Sequence, residues 1–276
     1  MHRFSQVDVF TDRLTSGNPL AVVHDADDLP DAQLAAIASW TNLSETTFLL
    51  QPTDPDADYR VRIFTTEGEL PFAGHPTLGS AYAWSAAGGD PGDPGRIVQQ
   101  CDIGLVAVRV DGPRLAFAAP PLLRSGSVSA EDLGELTRFL GVAASDVLDA
   151  QWVDNGPGWV GVLLRDAATV LAVRPTPPCR LRDVGIIGTY PPGSDADVEV
   201  RALFAVGGGL AEDPVTGSLN ASLAQWLIGT GQLPSAYVAS QGTVLGRRGR
   251  VHVSTEGSQV WVGGQVSAGI SGTIAL

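Results

Sequence analysis

Three side chains have both the chemistry and the setting to move a proton: His75, Asp213 and Glu45. The first two sit in matching segments. Gly74-His75-Pro76-Thr77-Leu78-Gly79-Ser80-Ala81-Tyr82-Ala83 and Glu212-Asp213-Pro214-Val215-Thr216-Gly217-Ser218-Leu219-Asn220-Ala221 share Pro, Gly, Ser and a later Ala at a constant offset of 138 residues, half of the 276-residue chain. Both segments read as helix starts with Gly-Ser in the first turn, one bearing an imidazole and the other a carboxylate. A helix start leaves backbone N–H groups unpaired and carries partial positive charge, so it attracts anions. Gly79 and Gly217 would let a ligand approach the backbone closely. If the two starts face one another, a small acidic molecule is their natural ligand. Glu45 lies in Asn42-Leu43-Ser44-Glu45-Thr46-Thr47-Phe48, just ahead of an apolar strand. Partial desolvation by Leu43 and Phe48 would raise its pKa toward the range useful for proton transfer. Glu45, His75 and Asp213 together would form an acid/base set needing neither metal nor organic cofactor.

Each residue also has a plainer reading. Glu45 fits a surface strand start, Asp213 a helix N-cap, and His75 a group serving its own helix start. Ser80 and Ser218 are ordinary first-turn residues. Gly207-Gly208-Gly209 lacks the following Gly-Lys-Ser/Thr of a phosphate loop and reads as a turn. The basic run Gly246-Arg247-Arg248-Gly249-Arg250 reads first as a hairpin turn with solvated charge, and second as an anion site.

The elements that must position these groups are mainly short strands punctuated by Gly and Pro. Strands are predicted at Ser5–Val9, Leu20–His24, Thr46–Leu50, Tyr59–Phe64, Arg96–Gln100, Leu105–Val110 and Leu115–Ala118. Helices are predicted at Asp31–Ser39, with Leu34, Ile37 and Ala38 on one face, and at Pro76–Ala87, apolar all round and therefore buried. The second half begins with a helix over Ala130–Leu140, N-capped by Ser129 with Asp132 near the capping-box position. Strands follow at Ala150–Val153, Trp159–Leu164, Thr169–Val173, Val184–Gly188 and Val198–Phe204, then a buried helix over Gly217–Ile228. Strands at Tyr237–Ser240, Arg250–Ser254, Gln259–Val262 and Ser267–Ala275 close the list. Gly17-Asn18-Pro19-Leu20-Ala21-Val22-Val23 is echoed by Asn155-Gly156-Pro157-Gly158-Trp159-Val160-Gly161-Val162, offset by 137 residues. Two echoes in the same order point to an internal duplication. The expected fold is α+β: two pseudo-symmetric lobes, each an antiparallel β-barrel-like sheet wrapped round a central buried helix. The N-terminal lobe covers 1–112 and the C-terminal lobe 113–264, with Pro113, Pro120 and Pro121 in the linker region. The last strand, 265–276, is expected to return to the first lobe, because a lone terminal strand needs a partner.

Composition narrows the function classes. A hydrophobic content of 44% supports a substantial core, and a net charge of −13 without a basic tract argues against nucleic acid. No apolar run reaches a membrane span, and Met1–Asp8 lacks a signal-peptide core. Cys101 and Cys179 are far apart, which fits a reduced, cytoplasmic setting. His2, His24, His75 and His252 are scattered, so no metal site is expected.

The chain resembles the phenazine-biosynthesis isomerase (PhzF) family, of diaminopimelate-epimerase-like fold, over essentially its full length. The carriers are Asp8-Val9-Phe10, Gly17–Val23, Asn42–Phe48, Arg62-Ile63-Phe64-Thr65, Glu69–Gly79, Asn155-Gly156-Pro157, Glu212–Ser218, Gln241-Gly242 and Leu245-Gly246-Arg247. The resemblance implies a site between two lobes, a homodimer, and no cofactor. It places the general acid/base on Glu45, supporting groups on His75 and Asp213, the ligand-holding serine on Ser218, and backbone help on Gly74 and Gly217. It implies isomerisation of trans-2,3-dihydro-3-hydroxyanthranilate or another small carboxylate, by moving a proton along a cyclohexadiene. Two departures stand out: Thr66 where the family has Pro, and the bulkier Leu219-Asn220, which bears on pocket shape. The related racemases and epimerases use two cysteines, at positions held here by Ala73 and Pro214, so two-thiol epimerisation does not fit. Other proton-transfer chemistry on an unrelated metabolite, or a silent binding protein, are the competing readings.

Overall fold

The computed structural model describes residues 1–206 and 209–276; Gly207 and Gly208 of the triple-glycine run lie outside the described residues. The chain divides into two compact units, Met1–Ala118 with Gly263–Leu276, and Ala119–Val262.

The first unit runs β1 (His2–Val9), β2 (Asn18–Val23), α1 (Asp31–Thr41), β3 (Thr46–Leu50), β4 (Tyr59–Phe64), the two-residue β5 (Glu69–Leu70), α2 (Gly74–Ala86), β6 (Arg96–Cys101), β7 (Gly104–Asp111) and β8 (Arg114–Ala118). In the second come β9 (Arg124–Ser127), α3 (Ala130–Leu140), β10 (Val147–Asp154), β11 (Val160–Leu164), α4 (Ala167–Ala172), β12 (Asp183–Thr189), β13 (Val198–Val206), β14 (Gly209–Asp213), α5 (Gly217–Gly229), β15 (Ala236–Gln241) and β16 (Gly249–Glu256). The last strand, β17 (Gln259–Ile274), is continuous where the sequence suggested two. Its glycines explain the misreading. A Cβ on Gly263 would lie 2.5 Å from Leu115 O, and one on Gly269 would lie 2.9 Å from Gln6 O, beside a shift in the β1–β17 register. The strand keeps glycine where neighbouring backbone comes closest.

The sheet of the first unit closes on itself. Pairing proceeds β1–β2–β3–β4–β6–β7–β8–β17 and back to β1. The expectation of a purely antiparallel barrel is corrected here, because β2/β3 and β4/β6 are parallel. A parallel pair needs a crossover, which α1 supplies for the first and α2 for the second. Helix α2 packs against β1, β2, β3, β4, β6, β7 and β8. A helix so enclosed must be apolar or small all round, and Gly74–Ala81 and Ala83 are all buried. Its few polar atoms are paired inside: Ser80 Oγ donates to Thr47 Oγ1 at 2.9 Å, Thr77 Oγ1 to Ala73 O at 2.9 Å, and Gln99 Nε2 to Thr77 Oγ1 at 3.0 Å.

The two segments that match in sequence do not begin their helices alike. Helix α2 starts at Gly74, so Gly79-Ser80 lie beyond its first turn, whereas α5 starts at Gly217 itself. Gly79 faces the barrel wall rather than a ligand: a Cβ there would lie 2.5 Å from Leu20 Cδ2 and 3.0 Å from Val9 Cγ2.

The second unit pairs β9–β10–β11–β12–β13–β15–β16, with β14 also on β13. Here β11/β12 and β13/β15 are parallel, with α4 and α5 in the crossovers. The order strand, helix, three strands, buried helix, two strands occurs in both units. Helix α3 is capped as the sequence suggests, Ser129 Oγ accepting from Asp132 N at 3.0 Å, and its Leu136, Phe139 and Leu140 pack on Val160, Val162, Val184 and Ile186. The predicted strand over Thr169–Val173 is instead the end of α4. Asp166 accepts from Thr169 N at 2.7 Å as an N-cap, and Ala167 and Val170 turn inward. The cap overrides the β-branched residues that suggested a strand. The basic run Gly246–Arg250 lies at the turn joining antiparallel β15 and β16, with Arg248 paired to Asp195.

Candidate active site

In the first unit, Glu45 stands immediately before β3 and His75 is the second residue of α2. The structure brings them together: His75 Nε2 lies 3.4 Å from Glu45 Oε2, with side chains 5% and 16% exposed. Glu45 is therefore not a surface strand-start residue. On the far side of the ring, Asn18 Nδ2 lies 3.5 Å from His75 Nδ1. Burial pushes the imidazole down to about 3, so it is neutral through the physiological range. A neutral imidazole has one N–H and one bare nitrogen; here Nε2 lies beside the Glu45 carboxyl and Nδ1 beside the Asn18 amide. His75 thus lies beside the carboxyl as a neutral ring, not as the cation of an ion pair.

Asn18 is delivered by a fixed turn. Asp8 Oδ2 accepts from Ser16 N at 2.9 Å and Gly17 N at 3.1 Å. A Cβ on Gly17 would lie 2.1 Å from Val9 O, so only glycine fits.

In the second unit, Asp213 ends β14, and Gly217 and Ser218 open α5. Asp213 is not the N-cap; that position belongs to Thr216, whose hydroxyl donates to Asp213 Oδ2 at 2.5 Å. Gln241 organises this corner and was not singled out as a site residue. Its Oε1 accepts from Thr216 N at 3.0 Å and Asn220 Nδ2 at 2.8 Å, and its Nε2 donates to Thr216 Oγ1 at 2.9 Å and Asp213 O at 3.2 Å. Gly242 follows at φ 88°, where a Cβ would lie 2.6 Å from Pro214 O. Glu212 faces Arg201 instead of a ligand: the guanidinium bonds it twice, at 3.0 and 2.8 Å, and also holds the Val170 and Val173 carbonyls at 3.1 and 2.8 Å. The bulky Leu219-Asn220 turns inward, Leu219 onto Gly185 and Asn220 onto Thr216 O and Gln241.

Ser218 is held from two sides. Asn155 Nδ2 donates to its carbonyl at 2.9 Å and Trp159 Nε1 to its hydroxyl oxygen at 3.1 Å. Asn18 and Asn155 occupy the two echoed Asn/Gly/Pro segments, and each reaches the helix start of its own unit. That echo was the available signal for both. Helix geometry leaves the first N–H groups of α5 without intrahelical acceptors. Among the described residues no group of three or more His, Cys, Asp or Glu is placed to hold a metal ion, and no described helix is long and apolar enough to cross a membrane.

The first unit is thus a closed mixed barrel round a helix whose first turn sets a neutral imidazole beside a carboxyl. The chain belongs to the phenazine biosynthesis-like protein family, which it matches over residues 7–272. It is 36% identical to antisense-enhancing sequence 1 of Schizosaccharomyces pombe, over 98% of each chain. It is 34% identical to the trans-2,3-dihydro-3-hydroxyanthranilate isomerase of Pseudomonas aeruginosa, over 94% of this chain and 92% of the relative. A solved structure described as a predicted epimerase, also from Pseudomonas aeruginosa, superposes with a TM-score of 0.81 at 27% identity, over 100% of both chains. The chain is an isomerase of this family.

Proposed function

We propose that the chain isomerises a small carboxylate such as trans-2,3-dihydro-3-hydroxyanthranilate, with Glu45 as the group that carries the proton. The carboxylate takes a proton from a saturated ring carbon. The electron pair moves along the conjugated system, and the same carboxyl returns the proton to a carbon further along. No atom is gained or lost. His75 packs against Glu45 without competing for the proton, since the neutral ring cannot take one near neutrality. Asp213 supports the transfer. Ser218, with the N–H group of Gly217, holds the substrate carboxylate in this reading, and the N–H of Gly74 is assigned a backbone contact to substrate. The carrying observation is the buried contact of 3.4 Å between the His75 imidazole and the Glu45 carboxyl.

The test is turnover of dihydrohydroxyanthranilate in deuterated water, followed by mass spectrometry. Exchange of the Glu45 carboxyl proton with solvent before its return puts one deuteron in the product, and Glu45→Gln is expected to slow turnover by roughly 10²- to 10⁴-fold. Unchanged turnover in Glu45→Gln would sink the assignment. The likeness to a predicted epimerase favours one other reading, proton exchange at a single carbon. That reaction would label the substrate at its original position without moving the double bond.

A further inference from the structure

We propose that Trp159 is a positioning residue that fixes the Ser218 hydroxyl as a hydrogen-bond donor, so that the site selects ligands presenting an acceptor such as a carboxylate. This rests on the reading that Ser218 holds the substrate.

An indole N–H can only donate, whereas a serine hydroxyl can do both. Trp159 Nε1 donates to Ser218 Oγ at 3.1 Å, which occupies one lone pair and turns the single O–H away from the ring. Among the described residues that O–H reaches no protein acceptor, and Ser218 is only partly buried. The corresponding serine behaves differently: Ser80, fully buried in α2, gives its proton to Thr47 Oγ1 at 2.9 Å. One copy of Gly-Ser is therefore satisfied by the protein, and the other keeps a donor for something else. Donation from the indole also polarises the hydroxyl and strengthens the bond it goes on to make.

The clamp is built before any ligand arrives. Trp159 is 1% exposed and packs on Phe204 with ring centroids 5.2 Å apart. The loop that carries it is tied by Asp154 Oδ1, which accepts from Gly156 N and Gly158 N at 2.7 Å each. Val153 N donates to Trp159 O at 3.0 Å, and Asn155 holds the Ser218 carbonyl. A hydroxyl held from the outset loses little further freedom on binding, which is how preorganisation raises affinity.

The experiment measures binding of benzoate and of benzylamine by calorimetry, independently of turnover. Wild type is expected to bind benzoate and to prefer it to the benzylammonium ion. Trp159→Phe keeps the ring and removes the N–H; it should raise the benzoate Kd about three- to tenfold. Ser218→Ala should do the same, and the double variant should lose no more than either single one. In turnover assays the loss should fall on KM and leave kcat nearly unchanged. Additive effects, or a benzoate Kd unmoved by Trp159→Phe, would overturn the role of Trp159 and leave the isomerase reading standing. Failure of wild type to bind benzoate would overturn the carboxylate role of Ser218 and this inference with it. If Trp159→Phe does not fold, the indole N–H resonance of the wild type decides. It should shift when benzoate saturates the protein, and a resonance that stays put overturns the proposal.

Discussion

A histidine enclosed by a barrel wall does not titrate where histidines usually do. Burial disfavours the charged form of the folded His75 and pushes it down to about 3, from an ordinary histidine value of about 6.5. The sign of the consequence follows. Between these values the unfolded chain binds the proton and the native state does not, so stability is full above 6.5 and is lost as pH falls toward 3. His75→Gln should therefore lie closer to wild type in unfolding free energy at about pH 4.5 than at about pH 7. Nitrogen NMR should show a neutral ring over that whole range. Glu45 and His75 were legible as candidates because a carboxyl and an imidazole in apolar surroundings advertise proton chemistry. Asn18 and Gln241 were not. An amide does not titrate, and its value lies in having a donor and an acceptor at fixed separation, which only the folded chain displays.

At the scale of elements, the pattern located both buried helices and the first residue of α5, but placed the start of α2 at Pro76 instead of Gly74. The sequence match set Gly79 against Gly217, yet α2 begins five residues before Gly79. A common motif thus serves packing in one helix and the helix opening in the other. Gly79→Ala should press a methyl against Leu20 and Val9, costing roughly 1–3 kcal/mol of stability by overpacking. The fraction that folds should keep its kcat, which denaturant titration and active-site-normalised kinetics would separate. The misread segment Thr169–Val173 shows the opposite failure. Its residue types favour a strand, but Asp166 caps a helix here, its carboxylate accepting from Thr169 N while Ala167 and Val170 turn inward. Likewise β5, β9 and β14 escaped notice because short pieces such as Arg124-Ser125-Gly126-Ser127 have no apolar alternation to read.

Across the whole molecule, net charge and ligand charge have the same sign in the proposed reaction. A chain of net charge −13 repels a carboxylate at long range and must attract it at close range through oriented N–H and O–H groups. Raising salt from about 10 mM to about 150 mM shortens the screening length from about 30 Å to about 8 Å. The KM for an anionic substrate should then fall, and a neutral analogue should show no such trend. A KM that rises with salt would mean that local cationic groups dominate binding. The sheet that closes the first unit has a separate consequence, for the order in which the chain matures. Its final stave is residues 263–274 of β17, which the ribosome delivers only after the whole second unit. Until then β1 and β8 wait with open edges, a state prone to pairing with other chains. The unit that carries Glu45 and His75 is begun before the second unit and closed after it, so a nascent chain cannot enclose that imidazole until residues 263–274 have been made.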